Sequence, residues 1–316
     1  MRFSSSIIGL TATASSAAAA AANSGIKGFN YGAFFLNQQA KVQTDFAYEF
    51  NRAQNLPGTS GWSSARLYTM IQWGTASDVV SAIPAAIETN TRLLLGLWIS
   101  GGDQAITNEI TALKAAIDQY GESFTSLVDG ISVGSEDLYR DAAVDEVGTS
   151  PAYLVECITK VRNAIKGTGL ASAPVGHVDT YDSFLNGTNT YVIQSLDWVG
   201  FDGYPFWESS KANSIGDAHE RFYEGYNKTL ALAGDKPVWV TETGWPVSGD
   251  KNNQAVASAD NARIYWEDIA CSLVNSKINI WWYDLQESQY GQASPDFGIY
   301  PAGDLGQLTP SYELTC

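Results

Sequence analysis

Two glutamates carry the carboxyl groups that are best placed for chemistry, because each follows a short apolar segment. Glu136 comes after Ile-Ser-Val-Gly-Ser at 131–135, and Glu242 comes after Val-Trp-Val-Thr at 238–241. Cleavage of a glycosidic bond needs such a pair: one protonated carboxyl group serves the leaving oxygen, and one ionised carboxylate faces the anomeric carbon. An isolated glutamate after a strand is usually a surface charge, so this interpretation requires both glutamates to reach one opening.

The pattern along the chain predicts eight strands, separated by segments with helical spacing. Helical periodicity is clearest over 103–120, 151–166 and 255–275. The predicted strands are 26–31, 64–68, 92–98, 130–133, 174–180, 198–201, 238–241 and 278–283. Strands rich in Val, Leu, Ile and Trp without strict alternation suit burial on both faces, so we predict an α/β fold, a single (β/α)8 TIM barrel.

In such a barrel, catalytic groups belong at the carboxyl ends of the strands. Glu136 would end the fourth strand and Glu242 the seventh, and these strands face each other across the mouth. An open doubly wound sheet is the structural alternative. It would normally carry a glycine-rich phosphate turn after the first strand, and no such motif is present in the sequence.

Composition and charge narrow the class of ligand. The chain has 316 residues with 18 Lys+Arg and 34 Asp+Glu, a formal net charge of −16, which argues against a nucleic-acid partner. Its 45% hydrophobic content excludes a disordered chain. The 10 Trp, 16 Tyr and 12 Phe are typical of sugar-binding clefts, although most rings in any protein are core. A neutral polar ligand fits best.

Other hydrolase classes find little support. The two histidines, His177 and His219, form no H-E-x-x-H motif and there is no C-x-x-C, so a metal hydrolase is disfavoured and no metal is expected. A serine hydrolase would need one of these histidines beside its nucleophile, and His177 is better explained as a hydrogen-bonded residue of the fifth strand. A catalytically inactive, lectin-like barrel that binds glucan remains the alternative from another class.

Several motifs together carry a family resemblance that extends over nearly the whole chain after residue 22. They are Gly-Phe-Asn-Tyr-Gly at 28–32, Arg-Leu-Tyr at 66–68, Phe-Asp-Gly-Tyr-Pro-Phe at 201–206, Thr-Glu-Thr-Gly-Trp-Pro at 241–246 and Trp-Trp-Tyr-Asp at 281–284, with the segment around Glu136. The chain resembles glycoside hydrolase family 17, most closely its fungal cell-wall β-1,3-glucanases and glucanosyltransferases.

The resemblance implies an enzyme that acts on β-1,3-glucan without a cofactor. It implies a retaining mechanism, with Glu242 as nucleophile and Glu136 as acid/base. Water or a second glucan would resolve the covalent intermediate, so hydrolysis and transfer both stay open. Related barrels usually place Asn before the acid/base, where this chain has Ser135, a shorter group with one donor for the sugar 2-hydroxyl.

Further candidates for the site lie near the predicted strand ends. Tyr204 is expected to donate to Glu242, Arg66 to contact sugar or to form an ion pair inside the mouth, and Asp137 to serve as a helix-start or supporting charge. The other proposed sugar ligands are polar or aromatic residues, namely Asn30, Tyr31, Tyr68, Ser135, Asp179, Tyr181, Phe206, Trp207, Trp245, Trp282 and Glu287.

The N-terminal segment and two glycosylation sequons predict export. Residues 1–22 resemble a signal peptide, leaving 23–316 as the catalytic domain, and Asn186 and Asn227 begin glycosylation sequons. We expect a secreted, extracellular protein of the fungal cell wall, monomeric and without a membrane anchor. Neighbouring elements of a closed barrel favour a Cys271–Cys316 disulfide, and Cys157 fits a buried thiol.

Overall fold

The computed structural model describes residues 25–143, 146–287, 294–301 and 309–316. Eight parallel strands close into a barrel, in which each strand pairs with the next and β1 pairs with β8. The strands are β1 (Lys27–Tyr31), β2 (Ser64–Leu67), β3 (Arg92–Leu97), β4 (Val128–Val133), β5 (Val175–Thr180), β6 (Trp198–Asp202), β7 (Val238–Glu242) and β8 (Ile280–Trp282). The predicted (β/α)8 barrel is confirmed, and the closed order excludes the open sheet.

Helices cover the outside of the barrel between the strands. They are α1 (Gln43–Gln54), α2 (Ala82–Thr89), α3 (Asp103–Tyr120), α4 (Glu122–Thr125), α5 (Asp137–Ala142), α6 (Pro151–Ile165), α7 (Tyr181–Leu185), α8 (Ala218–Ala233), α9 (Ala259–Tyr265) and α10 (Cys271–Asn275). Short 3₁₀ helices lie at Thr190–Ser195 and Pro205–Trp207, and a π-helical stretch, Trp266–Ala270, joins α9 to α10.

Capping residues explain where two of the predicted helices begin. The side chain of Ser150 accepts from the Tyr153 amide at the start of α6, where Pro151 occupies a first-turn position that needs no amide donor. Ser258 caps α9 in the same way through the Asn261 amide. The third predicted helix therefore begins at Ala259 rather than at 255.

The barrel interior is filled by large rings rather than left open as a pore. Trp198, Trp239 and Trp281 form an inner cluster with Leu94 and Val178, and the rings of Trp198 and Trp239 stack with centroids 4.2 Å apart. Glycine on a neighbouring strand makes room for one of them, since a Cβ on residue 176 would lie 2.3 Å from the Trp198 ring. This packed floor leaves only the upper end of the barrel for a site.

A disulfide joins Cys271 of α10 to Cys316, the pair that the sequence analysis favoured. Cys157 on α6 is a buried free thiol, as expected. The last residues pack with the same region, because Tyr312 contacts the Trp266 ring and Leu314 is buried. The C-terminal segment 309–316 is therefore held to the helical layer.

No helix among the described residues is long and apolar enough to cross a membrane. Residues 1–22, the predicted signal peptide, lie outside the described part of the chain.

Candidate active site

The two predicted catalytic glutamates meet at the carboxyl end of the barrel. Glu242 is the last residue of β7, and Glu136 follows β4 directly before α5. A carboxylate oxygen of each lies within 4.8 Å of the other. The barrel thus brings together residues that are 106 positions apart in the sequence (242 − 136).

Glu242 is held by three donors that stabilise an ionised carboxylate. Oε1 accepts from Arg66 Nη1 at 2.5 Å and from the Tyr68 hydroxyl at 2.8 Å, while Oε2 accepts from the Tyr204 hydroxyl at 2.7 Å. Burial, followed by the charge of Glu242, raises the pKa of both tyrosines well above the ordinary range, so they remain donors. The predicted contact between Tyr204 and Glu242 is confirmed.

The surroundings of Glu136 favour a protonated carboxyl group, in contrast to those of Glu242. Its side chain is 22% exposed and pairs with Arg140, whose Nη2 lies 3.3 Å from Oε2. Burial, and then the nearby charge of Glu242, raises the pKa of Glu136 from 4.5 to about 8, against the opposing effect of Arg140. One carboxyl group of the pair therefore keeps its proton near neutral pH while the other is charged.

Asp202, at the end of β6, is a third carboxyl group in this cluster and was not singled out from the sequence. One of its oxygens lies within 4.8 Å of those of Glu136 and Glu242. Its Oδ1 accepts from Thr241 Oγ1 at 2.7 Å, whereas Oδ2 is buried without a hydrogen-bond partner. Burial, and then the charge of Glu242, raises its pKa well above the ordinary value, which favours the protonated form of the group.

A polar layer beneath the glutamates fixes Arg66, for which the sequence left two roles open. Besides Glu242, Arg66 donates to Asn30 Oδ1 at 2.6 Å and to Ser135 Oγ at 2.9 Å. Asn30 in turn donates to the backbone carbonyls of Thr241 and Trp281. Arg66 and Asn30 are 1% and 2% exposed, so both act inside the mouth as supports rather than as surface ligands.

The acidic cluster is also the place where a cation could be considered. Among the described residues, Glu136, Asp202 and Glu242 are the only His, Cys, Asp or Glu side chains grouped closely enough to share one. The guanidinium of Arg66 already neutralises Glu242 there. The donor set therefore fits an acid/base pair, and we assign no metal to it.

Two grooves meet above these residues, with Tyr68 and Tyr283 on their common border. The first, which we call the polar groove, has a volume of about 630 Å³ and contains Glu136, Glu242, Tyr139, Trp207 and Arg221. The second, the aromatic groove, has a volume of about 760 Å³ and contains Phe34, Trp73 and Trp98. Together they form a cleft across the barrel mouth, with the two glutamates inside the polar groove.

A model of the BtgE/BtgC glycoside hydrolase domain matches residues 28–297. The chain belongs to this family. It is 54% identical over 295 residues, 92% of its length, to a probable glucan endo-1,3-beta-glucosidase from Aspergillus niger, and it spans 63% of that relative's own length. It is 26% identical over 74% of its length to a glucan 1,3-beta-glucosidase from Schizosaccharomyces pombe, of which it covers 71%.

A solved structure supports the same family assignment. The glycoside hydrolase family 17 beta-1,3-glucanosyltransferase from Rhizomucor miehei is 25% identical to this chain, with a TM-score of 0.71 over 90% of this chain and 98% of that one. The resemblance stated from the motifs is therefore confirmed for this BtgE/BtgC glycoside hydrolase domain.

Four predicted sugar-binding rings are instead part of the domain's core. Phe206, Trp245 and Trp282 are 0% exposed. Phe206 packs on Trp245, Trp245 also packs on Tyr265, and Trp282 packs on Trp266. Tyr31 is 4% exposed and meets Phe50 of α1. Neighbouring strand residues point to opposite faces, so Tyr31 and Trp282 face the helices where Asn30 and Trp281 face the barrel axis.

Two predicted acidic ligands are also committed to internal contacts. Glu287 is 3% exposed and accepts from the Tyr283 hydroxyl and the Phe297 amide. Asp179 is 0% exposed and binds backbone amides. Asp137 accepts from Ser100 and from the Ser135 amide, in keeping with the supporting role expected of it.

The remaining predicted ligands do border the cleft of the glycoside hydrolase domain. Ser135, Tyr181 and Trp207 line the polar groove, where Trp207 is 47% exposed, and their contact with sugar stays a prediction. Tyr68 lines both grooves. The exposed rings that the sequence analysis missed are Trp73, Trp98 and Tyr139; Trp98 could have been found as the residue directly after β3.

A serine nucleophile is not formed, although Gly-Ile-Ser-Val-Gly at 130–134 matches the G-x-S-x-G pattern. Ser132 lies within strand β4, is 1% exposed, and donates its hydroxyl to the Gly134 carbonyl at 2.8 Å. A nucleophile elbow requires the serine to be presented on a sharp turn between strand and helix.

Proposed function

We propose that this chain cleaves β-1,3-glucan with retention of configuration and passes the fragment to water or to a second glucan. The observation that carries the proposal is the pair Glu136 and Glu242, since one carboxylate oxygen of each lies within 4.8 Å of the other at the barrel mouth. Retaining glycosidases hold their two carboxyl groups about 5–5.5 Å apart, whereas inverting enzymes need about 6.5–9.5 Å to admit a water. The short separation favours retention.

The environments of the two glutamates assign their roles in the first step. Glu136 holds a proton and gives it to the glycosidic oxygen as the bond from that oxygen to the anomeric carbon breaks. Oε2 of Glu242 attacks the anomeric carbon, because Oε1 is already engaged by Arg66 and Tyr68. The products are a free sugar hydroxyl on the leaving fragment and a glycosyl ester on Glu242.

The second step reverses these roles. Glu136, now ionised, takes a proton from a water or from a sugar hydroxyl, and the resulting nucleophile displaces Glu242 from the anomeric carbon. Water gives hydrolysis, and a glucan hydroxyl gives transfer. Two inversions at the same carbon leave the original β configuration in the product.

Support for the substrate class comes from the relatives and from the cleft. Glucan endo-1,3-beta-glucosidase and beta-1,3-glucanosyltransferase are the activities in the names of the relatives from Aspergillus niger and Rhizomucor miehei. The exposed rings of Trp73 and Trp98 in one groove and Trp207 in the other offer apolar faces to a sugar chain that crosses the site.

We further propose that the protein is secreted to the fungal cell wall and glycosylated. The signal-like residues 1–22 and the Cys271–Cys316 disulfide support an oxidising compartment. Asn186 is exposed, and its Oδ1 already accepts from the amide and hydroxyl of Thr188 in its sequon. Asn227 is exposed on α8. Mass spectrometry of the secreted protein before and after removal of N-glycans tests both sites.

The decisive experiment incubates the protein with defined β-1,3-linked gluco-oligosaccharides and follows the products. Early NMR spectra should show new reducing ends in the β configuration, and chromatography should show shorter products, together with products longer than the donor if transfer occurs. An initial α anomer would overturn retention. Binding of the oligosaccharide without turnover would identify the inactive, lectin-like barrel instead.

A further inference from the structure

The backbone that carries Glu136 adopts a conformation that glutamate seldom occupies. Its φ of 54° and ψ of 29° lie in the left-handed region, which disfavours side chains other than glycine or asparagine. Such a residue keeps its geometry only when surrounding contacts determine it. The contacts that hold this turn therefore decide where the Glu136 carboxyl group points.

Strand β5 supplies these contacts from beneath the turn. The Glu136 amide donates to the Val178 carbonyl at 2.8 Å. The carboxylate of Asp179 accepts from the amides of the next residues, Leu138 at 2.9 Å and Tyr139 at 3.3 Å. Asp179 is fully buried and also accepts from the amide of Thr180. It thus anchors the first turn of α5, immediately after Glu136.

His177 ties the same carboxylate to strand β4. Its Nε2 lies 3.0 Å from Asp179 Oδ2, and its Nδ1 lies 2.7 Å from the Val133 carbonyl oxygen. A carbonyl oxygen only accepts, so Nδ1 donates to Val133. The backbone amides that donate to both oxygens of Asp179 favour its ionised form, and Nε2 then donates to Oδ2. His177 is therefore an imidazolium, fully buried between the ends of β4 and β5.

The electrostatics of the pair agree with this geometry. Burial opposes a charged ring, but the hydrogen bond to Asp179, together with the negative charges of Asp179 and Asp137, outweighs it, so the pKa of His177 is raised. These two carboxylates are the charged groups that influence the ring. A buried pair of this kind is costly to break by removing one partner, because the other charge is left uncompensated.

We propose that His177 and Asp179 are positioning residues for Glu136. They hold the turn through the Val133 carbonyl and the amides of Leu138 and Tyr139, and they do not touch the substrate. The inference rests on the proposed function, in which Glu136 is the acid/base. It goes beyond that function because it gives two residues outside the reacting pair a role in positioning the group that transfers the proton, and in no other step.

The test compares two substrates that differ in their need for a proton. A β-1,3-linked gluco-oligosaccharide requires protonation of its leaving group, whereas a 2,4-dinitrophenyl β-laminaribioside does not. For His177→Gln and Asp179→Asn we expect kcat/KM to fall about 10- to 100-fold on the oligosaccharide and to stay within about threefold on the aryl glycoside. KM for the oligosaccharide should change little.

The matched control is His219→Asn. His219 pairs with Asp268 at 2.9 Å on the outer helical layer, so this variant loses a histidine–carboxylate pair far from the mouth. It should leave both values unchanged. Equal losses on the two substrates in Asp179→Asn would indicate a general structural role and overturn the inference, as would unchanged activity on both. If the wild-type protein turns over neither substrate, the proposed function itself fails.

A second measurement does not depend on the folding of any variant at the site. The chain has two histidines, and the spectrum of His219→Asn assigns the remaining one as His177. Nitrogen-15 NMR of its ring at pH 7 should show both nitrogens protonated. A neutral ring, with one nitrogen lacking a proton, would refute the charged pair even if His177→Gln does not fold.

Discussion

The hydroxyl of Tyr204 lies 2.7 Å from Oε2 of Glu242 and is the one described side-chain donor on that oxygen, whereas Arg66 and Tyr68 share Oε1. An oxygen with two strong donors is a poorer nucleophile than one with a single donor. In the proposed mechanism, Tyr204 therefore orients the oxygen of Glu242 that attacks the sugar.

Tyr204→Phe should lower kcat about 10- to 100-fold, because a hydrogen bond to a charged group contributes about 1.5–3 kcal/mol. Since Tyr204 acts on the nucleophile, the loss should be similar on the oligosaccharide and on an activated aryl glycoside. Tyr223→Phe is the matched control, since Tyr223 bonds Ser272 through its hydroxyl outside the cleft. A loss confined to the oligosaccharide would contradict this assignment.

The two glutamates should fail in different ways when changed to glutamine. Glu242→Gln should reduce turnover on every substrate by on the order of 10⁴-fold or more while binding persists. Glu136→Gln should lose about 10²–10⁴-fold on glucan, but keep most of its kcat/KM on an aryl glycoside with a good leaving group. Kinetics on both substrates decide the roles, with Glu267→Gln on the outer helices as control. Equal activity in both variants would overturn the assignment of two different roles.

Arg140 should set the alkaline limit of activity. Its charge lowers the pKa of Glu136, which burial and Glu242 raise to about 8. Arg140→Met removes the opposing charge, so Glu136 should keep its proton to higher pH, and the alkaline limb of kcat/KM should move upward by up to about one pH unit.

The control for Arg140 is Arg263→Met, which breaks an exposed pair with Glu267, also four residues apart along its helix. That variant should leave the pH profile of kcat/KM unchanged. A downward shift of the alkaline limb in Arg140→Met would show that Glu136 is not the group that titrates.

Asp202→Asn should be tolerated, in contrast to the changes at the two glutamates. Because the raised pKa favours an uncharged Asp202, the amide reproduces its shape and charge and still accepts from Thr241, and kcat should stay within about threefold. A loss comparable to that of Glu242→Gln would show that Asp202 works as an ionised group.

The same substitution should stabilise the protein at neutral pH. A carboxyl group whose pKa is raised by folding binds more protons in the folded state, so the free energy of unfolding falls as pH rises above its unfolded pKa of about 3.9. Asn does not titrate, so the Tm of Asp202→Asn should exceed that of the wild type at pH 7. The gain should shrink toward pH 4, and thermal unfolding at several pH values measures it.

The strands and the meeting of Glu136 and Glu242 at the barrel mouth could be predicted because their signals are local. Each predicted strand end lies within two residues of the observed one, and Glu136 and Glu242 each follow such an end. Closure of the ring then places strands four and seven three positions apart, so that their carboxyl ends border the same mouth.

The direction of side chains near strand ends could not be predicted in the same way. Asn30 and Tyr31 are adjacent, so one faces the barrel and the other the helices, and the sequence does not say which. Trp245 and Trp207 both lie a few residues beyond strand ends, yet one is buried and the other is 47% exposed. Asp202 was missed because its importance arises from proximity to two groups on other strands.

The two arms of the cleft, the aromatic groove and the polar groove, offer a bound polymer different contacts. On one arm lie the exposed rings of Trp73 and Trp98, and on the other arm the exposed ring of Trp207 lies in a groove that also contains charged groups such as Glu208. If the proposed function holds, stacking on the two tryptophan rings of the first arm should keep a cleaved fragment there longer than on the second arm. The fragment on the first arm would then stay bound after the other fragment has left, and a second glucan could occupy the empty half of the cleft.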